Sequence, residues 1–294
     1  MQNHLISIIT INYNNAEGLN KTLASVNCQT SDEFEHIIVD GGSTDNSVDI
    51  IKRYENDRIS RTWISEKDSG IYNAMNKGIR MAHGQYVQFL NSGDYLVDKY
   101  VISRMSDALR RKDYPDILYG NIIVITKKGR LSRNKGVQGK YVTPWMMYQG
   151  AIPHSSAYIK RELFDRYGMY DENMKIVSDW EWYFEVTYYH GIHPKHEDTD
   201  VSCFNSDGIS ETNHELNAKE RRQVIERIMP PQVLPDYDRW KTLLLKQTAI
   251  NRHPFAVKFQ NALLCIINIA EKIQLRRNSR KLKREFKKKG IEIV

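Results

Sequence analysis

Gly84-Gln85-Tyr86-Val87-Gln88-Phe89-Leu90-Asn91-Ser92-Gly93-Asp94 is the stretch on which the reading of this chain turns. Tyr86, Val87, Phe89 and Leu90 carry the β-branched and aromatic bias of a buried strand. The run stops at the turn formers Asn91, Ser92, Gly93 and Asp94. A carboxylate, Asp94, is thereby delivered just past a strand end, the edge at which open α/β sheets bind ligands. Taken alone, the cluster also reads as an Asx turn leading into a helix over about residues 98–111.

The preceding segments repeat the pattern. Residues 5–11 read as a buried strand and Asn12-Tyr13-Asn14-Asn15 as a turn. A helix follows to about residue 29, with Leu19, Leu23 and Val26 at helical spacing. Residues 34–39 form a second strand that ends in Asp40-Gly41-Gly42-Ser43-Thr44-Asp45. The next helix has Val48, Ile51 and Tyr54 on one face, and residues 62–65 give a short third strand. Asp68-Ser69-Gly70 then opens a helix with Ile71, Ala74, Met75 and Ile79 inward. This alternation predicts a mainly parallel sheet with helices on both faces.

Polar and acidic groups at 12–15, 40–45 and 92–94 would converge on one sheet edge. That setting suits a nucleotide with a divalent cation, because hard cations take oxygen ligands and a pyrophosphate needs its charge neutralised. The chain has neither a Gly-x-x-x-x-Gly-Lys-Ser/Thr loop nor a Gly-x-Gly-x-x-Gly after the first strand. Both facts argue against a P-loop NTPase and a dinucleotide-binding Rossmann domain.

The 294 residues allow one large domain or two small ones, and 40% apolar content suffices for a core. No apolar run reaches the length of a membrane-spanning helix. Met1-Gln2-Asn3-His4 lacks the layout of a signal peptide. Cys28, Cys203 and Cys265 are too scattered for a zinc site or a disulfide framework, so a reducing cytoplasm is expected. The chain carries a net +7, yet residues 271–289 alone hold ten Lys and Arg against two Glu, a net +8. The globular part is therefore close to neutral, and no nucleic-acid partner is expected.

Four motifs, in order, resemble those of family 2 glycosyltransferases. They are Ser7-Ile8-Ile9-Thr10-Ile11-Asn12-Tyr13-Asn14, Val39-Asp40-Gly41-Gly42-Ser43-Thr44-Asp45, Asp68-Ser69-Gly70-Ile71-Tyr72-Asn73-Ala74-Met75-Asn76-Lys77-Gly78 and Phe89-Leu90-Asn91-Ser92-Gly93-Asp94. The resemblance implies an α/β GT-A fold with a mixed, mainly parallel sheet. It also implies a nucleotide-sugar donor, a UDP-sugar first, a divalent Mn²⁺ or Mg²⁺, and inversion at the anomeric carbon. Asn12, Asp40, Asp68, Lys77 and Ser92 become donor-site candidates, with Asp40 on base or ribose and Lys77 on phosphate. Asp94 takes the last position of the family's Asp-x-Asp-like motif and would hold the metal; Ser92 stands where its first acid would be. Asp68 as a helix-capping acid and Lys77 as a solvated charge remain open.

In the second half, residues 116–121 and 122–125 predict strands around a hairpin turn at 127–130. Residues 132–150 form a polar loop suited to an acceptor lid. Inverting transfer needs a carboxylate to take the acceptor's proton. The family places it at a helix start in this region, which matches Asp179, with Glu181 as the alternative. Trp180 or Trp182 is a candidate for stacking on a sugar, and His154 for acceptor or diphosphate, each against a plain core role.

Past about residue 212 the sheet pattern ends. A charged helix is expected over 213–229, and Pro230, Pro231 and Pro235 break the chain. A helix over 254–275 places Phe255, Phe259, Ala262, Leu263, Ile266, Ile267, Ala270 and Ile273 on one face, ahead of the basic run. That combination reads as an interfacial anchor for anionic lipid or as a packed helix with a solvated end. The expected organisation is a GT-A domain over 1–215, with a nucleotide-sugar half at 1–98 and an acceptor half at 99–215, and a helical basic extension over 216–294. The expected function is inverting sugar transfer to a growing, lipid-linked glycan of a surface polysaccharide, at the cytoplasmic membrane face. A nucleotidyltransferase or a non-catalytic sugar-binding scaffold of the same fold is the alternative.

Overall fold

The computed structural model describes residues 4–55, 58–126, 128–139, 141–205 and 213–288. Lys127 of the expected hairpin, the end of the sheet pattern near 212 and Lys289 of the basic run lie outside them. Residues up to Pro230 form one compact unit and those from Pro231 another.

The first unit is built on a nine-stranded sheet. Its parallel part comprises β1 (Ile6–Asn12), β2 (Phe34–Asp40), β3 (Ser60–Ser65) and β4 (Tyr86–Phe89), ordered β3-β2-β1-β4. Every residue of β1, β2 and β4 is buried. Both faces are covered, which is why these strands read as near-continuous apolar runs. Beyond β4 the sheet becomes mixed. β8 (Ala157–Lys160) pairs antiparallel with both β4 and β6 (Ile117–Ile125), and β6 pairs parallel with β9 (Lys195–Asn205). The short β5 (Tyr95–Leu96) and β7 (Leu131–Asn134) pair antiparallel with β9 and β6.

Register sorts the helices onto the two faces, because alternate residues of a strand point to opposite sides. Ile6 and Ile8 lie opposite Phe34 and His36, and Ile9 lies opposite Ile37. Ile6, Ile8 and Phe34 pack with Val101, Ile102, Met105 and Leu109 of α4 (Val101–Arg111). Ile38, on the same side, packs with Leu19 and Leu23 of α1 (Ala16–Asn27) and Ile50 and Ile51 of α2 (Ser47–Arg53). The other face receives α3 (Ile71–Met81), where Gly78 lies so close to Ile9 that a Cβ would stand 2.4 Å from its Cγ2.

Three local readings change. The expected loop at 132–150 contains β7 and α5 (Pro144–Gln149), whose Met147 and Tyr148 are buried. The strands expected at 116–121 and 122–125 are the single β6. The α-helix over His214–Ile228, here α8 after α6 (Glu162–Tyr167) and α7 (Ser178–Tyr189), belongs to the first unit. It buries Val224, Ile225 and Ile228 there, and Ile228's carbonyl accepts the Tyr189 hydroxyl at 2.7 Å. The compact first unit thus extends past residue 215, to Pro230.

The second unit holds α9 (Leu234–Asn251), with Pro235 in its first turn, and α10 (Pro254–Lys288). Proline is tolerated at that position because its missing N–H would have no helical partner. Gln247 and Gln260 join the two helices by reciprocal amide bonds of 2.9 and 3.1 Å. Phe255, Phe259, Ile266 and Ile273 on α10 all remain exposed. No described helix is long and apolar enough to cross a membrane.

Gly78→Ala should lower the urea midpoint, because the added methyl overpacks α3 on β1 at a cost of roughly 1–3 kcal/mol. Equilibrium unfolding followed by circular dichroism measures it, and an unchanged midpoint would show that α3 can shift freely.

Candidate active site

Parallel register brings Asn12, Asp40 and Ser65 into one row at the strand ends. Asp40 is 0% exposed. One oxygen accepts from Asn12 Nδ2 at 2.7 Å and Ser43 Oγ at 2.6 Å; the other accepts from Ser43 N at 2.9 Å and Ser65 Oγ at 2.7 Å. Burial opposes its charge, but these donors hold its carboxyl below the usual range. Asp40 is thus enclosed, and the expected direct contact with base or ribose is not available to it. Asn12 serves Asp40 and Ser43 in the same way.

The open groups stand one layer out. Gly41 lets Asp68 approach: a Cβ there would lie 2.6 Å from Asp68 Oδ2 and 3.2 Å from the ring of Tyr13. Tyr13 is 67% exposed. Asp68 Oδ1 accepts the Gly70 N–H at 3.1 Å, and burial raises its carboxyl above the usual value. Asp68 does not cap α3, whose N-cap is Gly70. Lys77 pairs with Glu66 at 2.7 Å, neither a freely solvated charge nor one committed to the pocket.

The Asn91–Asp94 turn is fixed from α1. Asn15 donates to the Ser92 carbonyl at 3.0 Å and its hydroxyl at 3.3 Å, and the Thr22 hydroxyl donates to the Asp94 carbonyl at 2.6 Å. Burial pushes the Asp94 carboxyl up to about 8, opposed by the backbone N–H of Asn205. Asn91 Oδ1, in the same turn, is buried with no donor. An unsatisfied hard oxygen beside a carboxylate suits a hard cation. Among the described residues no cluster of three or more acids, His or Cys could hold an ion alone. A divalent ion fits here only with diphosphate and water supplying the other ligands.

Asp179 stands in the first turn of α7, on the α3 side of the sheet. It accepts the Tyr72 hydroxyl at 2.9 Å, and its other oxygen lies 3.9 Å from His154 Nδ1. His154 stacks on Phe89 with centroids 4.8 Å apart, and its Nε2 meets the Tyr170 hydroxyl at 3.2 Å. Burial holds its imidazole below the ordinary value, with Asp179 pulling the other way. It is a neutral partner of Asp179 behind the site. Asn76 fastens the neighbouring loop, donating to the Tyr170 carbonyl and accepting its N–H at 2.9 and 3.1 Å.

Two candidates are corrected. Trp180 is 3% exposed, its indole N–H donates to the carbonyls of Met147 and Gly150, and Arg221 covers its ring at 4.4 Å. It ties α5 to α7 and offers no open face to a sugar; Trp182, also buried, donates to the Gly168 carbonyl. Glu181 is buried and ion-paired to Arg227, so it is not a free base. A cavity of about 630 Å³ lined by Lys112, Lys135, Tyr141, His193 and Lys195 opens elsewhere, at the start of β6 and β9. Its Lys112 and Lys135 are paired with Glu197 and Asp198.

Sequence reasoning passed over Tyr13, Tyr72, Glu220 and Arg221. Tyr13, in a turn at a strand end, was open to notice. Glu220 and Arg221 sit in a charged helix with no local signal.

The arrangement is that of a sugar transferase. The family model described as glycosyl transferase family 2 matches residues 7–171. The chain belongs to that family. A PGL/p-HBAD biosynthesis glycosyltransferase of Mycobacterium bovis is 29% identical over 178 residues, 60% of this chain and 67% of that protein. The putative teichuronic acid biosynthesis glycosyltransferase TuaG of Bacillus subtilis is 41% identical over 92 residues, 31% of this chain and 36% of its own. Among solved structures, S. aureus TarS 1-349 in complex with UDP-GlcNAc superposes with a TM-score of 0.60 at 20% identity, covering 76% of this chain and 65% of that one. The match spans 38% of the longer TarS chain. The mannosyltransferase PcManGT from Pyrobaculum calidifontis, with GDP-Man and Mn2+, gives 0.56 at 15% identity, covering 87% and 83%. The mainly parallel sheet flanked by helices is the GT-A fold the motifs implied.

Asp40→Asn should unfold at lower temperature, because an amide cannot accept from four donors; the loss is roughly 1–3 kcal/mol. The depressed carboxyl of Asp40 contributes stability above its unfolded value of 3.8 that is lost as pH falls through the lower folded value. Thermal melts from pH 6 downwards should show the two proteins converging in stability below pH 4. A constant gap would assign the effect to shape rather than charge.

Proposed function

We propose that this enzyme transfers a sugar from a UDP-sugar, with inversion, to a growing lipid-linked glycan of a surface polysaccharide. The observation that carries the reading is Asp179. It is the carboxylate at the start of α7, oriented by Tyr72 on the side of the sheet that bears α3. The acceptor hydroxyl would lose its proton to Asp179 as its oxygen forms the new bond to the anomeric carbon. The bond from that carbon to the donor diphosphate breaks, and the nucleoside diphosphate leaves. Asp179, Tyr72 and neutral His154 hold the proton-accepting oxygen in place.

Tyr13 and Asp68 form the face for the nucleobase and ribose, on a floor kept by Asp40 and Gly41. Lys77 reaches donor phosphate only by leaving Glu66. Ser92 keeps the turn that presents Asp94, which would hold Mn²⁺ or Mg²⁺ together with the diphosphate; such an ion would supply positive charge against the leaving group. His154 meets the acceptor through Asp179 rather than directly. Support for the donor is the UDP-GlcNAc bound by TarS, and for the pathway the glycolipid and teichuronic acid relatives.

Asp179→Asn should keep donor binding and lose roughly 10²-fold or more in kcat. A panel of nucleotide sugars, with acceptor glycolipid and with or without Mn²⁺, reads the donor, the metal requirement and this loss together. Wild-type turnover by the variant would reject Asp179 as the base, and full activity in EDTA would reject the metal at Asp94.

The second unit supplies the membrane contact. The exposed apolar face of α10 precedes ten Lys and Arg in residues 271–289. Each basic residue near anionic lipid contributes on the order of 1 kcal/mol, and salt screens it. These features support a peripheral position at the cytoplasmic membrane face. Full-length protein should co-sediment with anionic vesicles at low salt and be released at high salt. Protein left in the supernatant at low salt would overturn the anchor.

A further inference from the structure

α7 begins without a cap of its own. Its N-cap residue is Val177, whose side chain has no oxygen to accept the free N–H groups of a helix start. The loop that leads into it, and the N–H of Val177 itself, are held from a distant part of the chain. Glu220, 6% exposed on α8, accepts the N–H of Lys175 at 2.9 Å with Oε1, and those of Ile176 at 2.9 Å and Val177 at 3.3 Å with Oε2. A buried carboxylate is tolerated only when its oxygens are hydrogen-bonded, and Glu220 spends both on this loop. Its negative charge also stands at the positive end of the α7 dipole. Asp179 follows Val177 by two residues, so the backbone that carries it is held by Glu220.

The grip is reinforced around the same turn. Arg221, the next residue of α8, lies over the ring of Trp180 and donates to the Gly150 carbonyl at 3.4 Å. Arg227, further along, pairs with Glu181 and with Glu185 at 3.1 Å. α8 therefore fixes α7 along its length, while Tyr72 of α3 fixes the Asp179 carboxylate itself. None of the α8 residues lies within the family match, which ends at residue 171.

We infer that Glu220 is a positioning residue for sugar transfer: by holding the N–H groups of residues 175–177, the loop that enters α7, it sets where the Asp179 carboxylate stands relative to the acceptor hydroxyl. The inference rests on Asp179 being the base. A small misplacement of a reacting group costs up to about 10²-fold in rate. Glu220→Gln keeps the size and one carbonyl acceptor but turns an N–H₂ toward the backbone donors. It should lower kcat roughly 10- to 100-fold, with the donor KM little changed.

The test is a double-mutant cycle on the full chain with a matched UDP-sugar and acceptor, each protein checked by thermal melt. In the Asp179→Asn background, Glu220→Gln should cause no further loss, because the group it positions is gone. An unchanged kcat in the single variant, or the same factor lost in both backgrounds, would overturn the inference. Asp179→Asn turning over at the wild-type rate would remove the base, and with it the role of Glu220. Should Glu220→Gln melt below the assay temperature, Glu220→Asp carries the same cycle and should recover part of the rate by restoring a carboxylate.

Discussion

Asp40 keeps an ionised carboxylate in full burial because donors reach it from β1, from β3 and from its own loop. A buried charge without such partners would cost several kcal/mol or take up a proton. Asn12 and Ser65 can both reach it only while β1, β2 and β3 end in register. The pairing of three strands and the neutralisation of one charge are therefore a single condition. Once it is met, Gly41 is placed where Asp68 can close on it, and the start of α3 follows three residues later. The placing of Asp68 is in this sense a by-product of how the sheet edge resolves its own electrostatics.

The surroundings of Asp179 are assembled differently. Asp179 gains nothing from strand register. Its position comes from three helices, α3 through Tyr72, α8 through Glu220, and α7 itself. Behind them the rings of Phe89, His154, Tyr170, Phe164 and Trp182 form a packed aromatic layer. Aromatic side chains with few rotatable bonds make a stiff backing at low entropic cost. Such stiffness holds the Asp179 carboxylate in place by packing, and a neutral His154 fits within that layer.

The parallel core was legible because its strands are buried on both faces, so apolar runs such as residues 5–11 have no competing helical period. Strand ends were legible from Asn, Asp and Gly clusters, which drew attention to Asp40, Asp68 and Asp94. The roles within those clusters were not, since Asp40's enclosure depends on Asn12 and Ser65, each about 25 residues away in the chain. The start of α7 marked Asp179 correctly as a helix-terminal acid beside other groups. Trp180 misled because an indole in a sugar enzyme suggests stacking, whereas its N–H is spent on Met147 and Gly150. β9 carries too many charges to read as a strand, and those charges turn out to be paired, as Asp200 is with Arg133 at 2.7 Å. The helix over His214–Ile228 looked like tail because its buried face is narrow.

The family match stops at residue 171, but the compact unit runs to Pro230. A crossover between two homologous genes at the end of the recognisable motif region would join one parent's donor site to another's α7 and α8. Tyr72, Asn73 and Asn76 from the first parent would then face an Asp179 and a Glu172 inherited from the second. The chimera would fold around an apolar sheet that tolerates exchange, yet its two half-sites would meet through hydrogen bonds that do not. Natural shuffling between relatives is thus expected to move residues 172–230 as one cassette, with the seam at the prolines that follow.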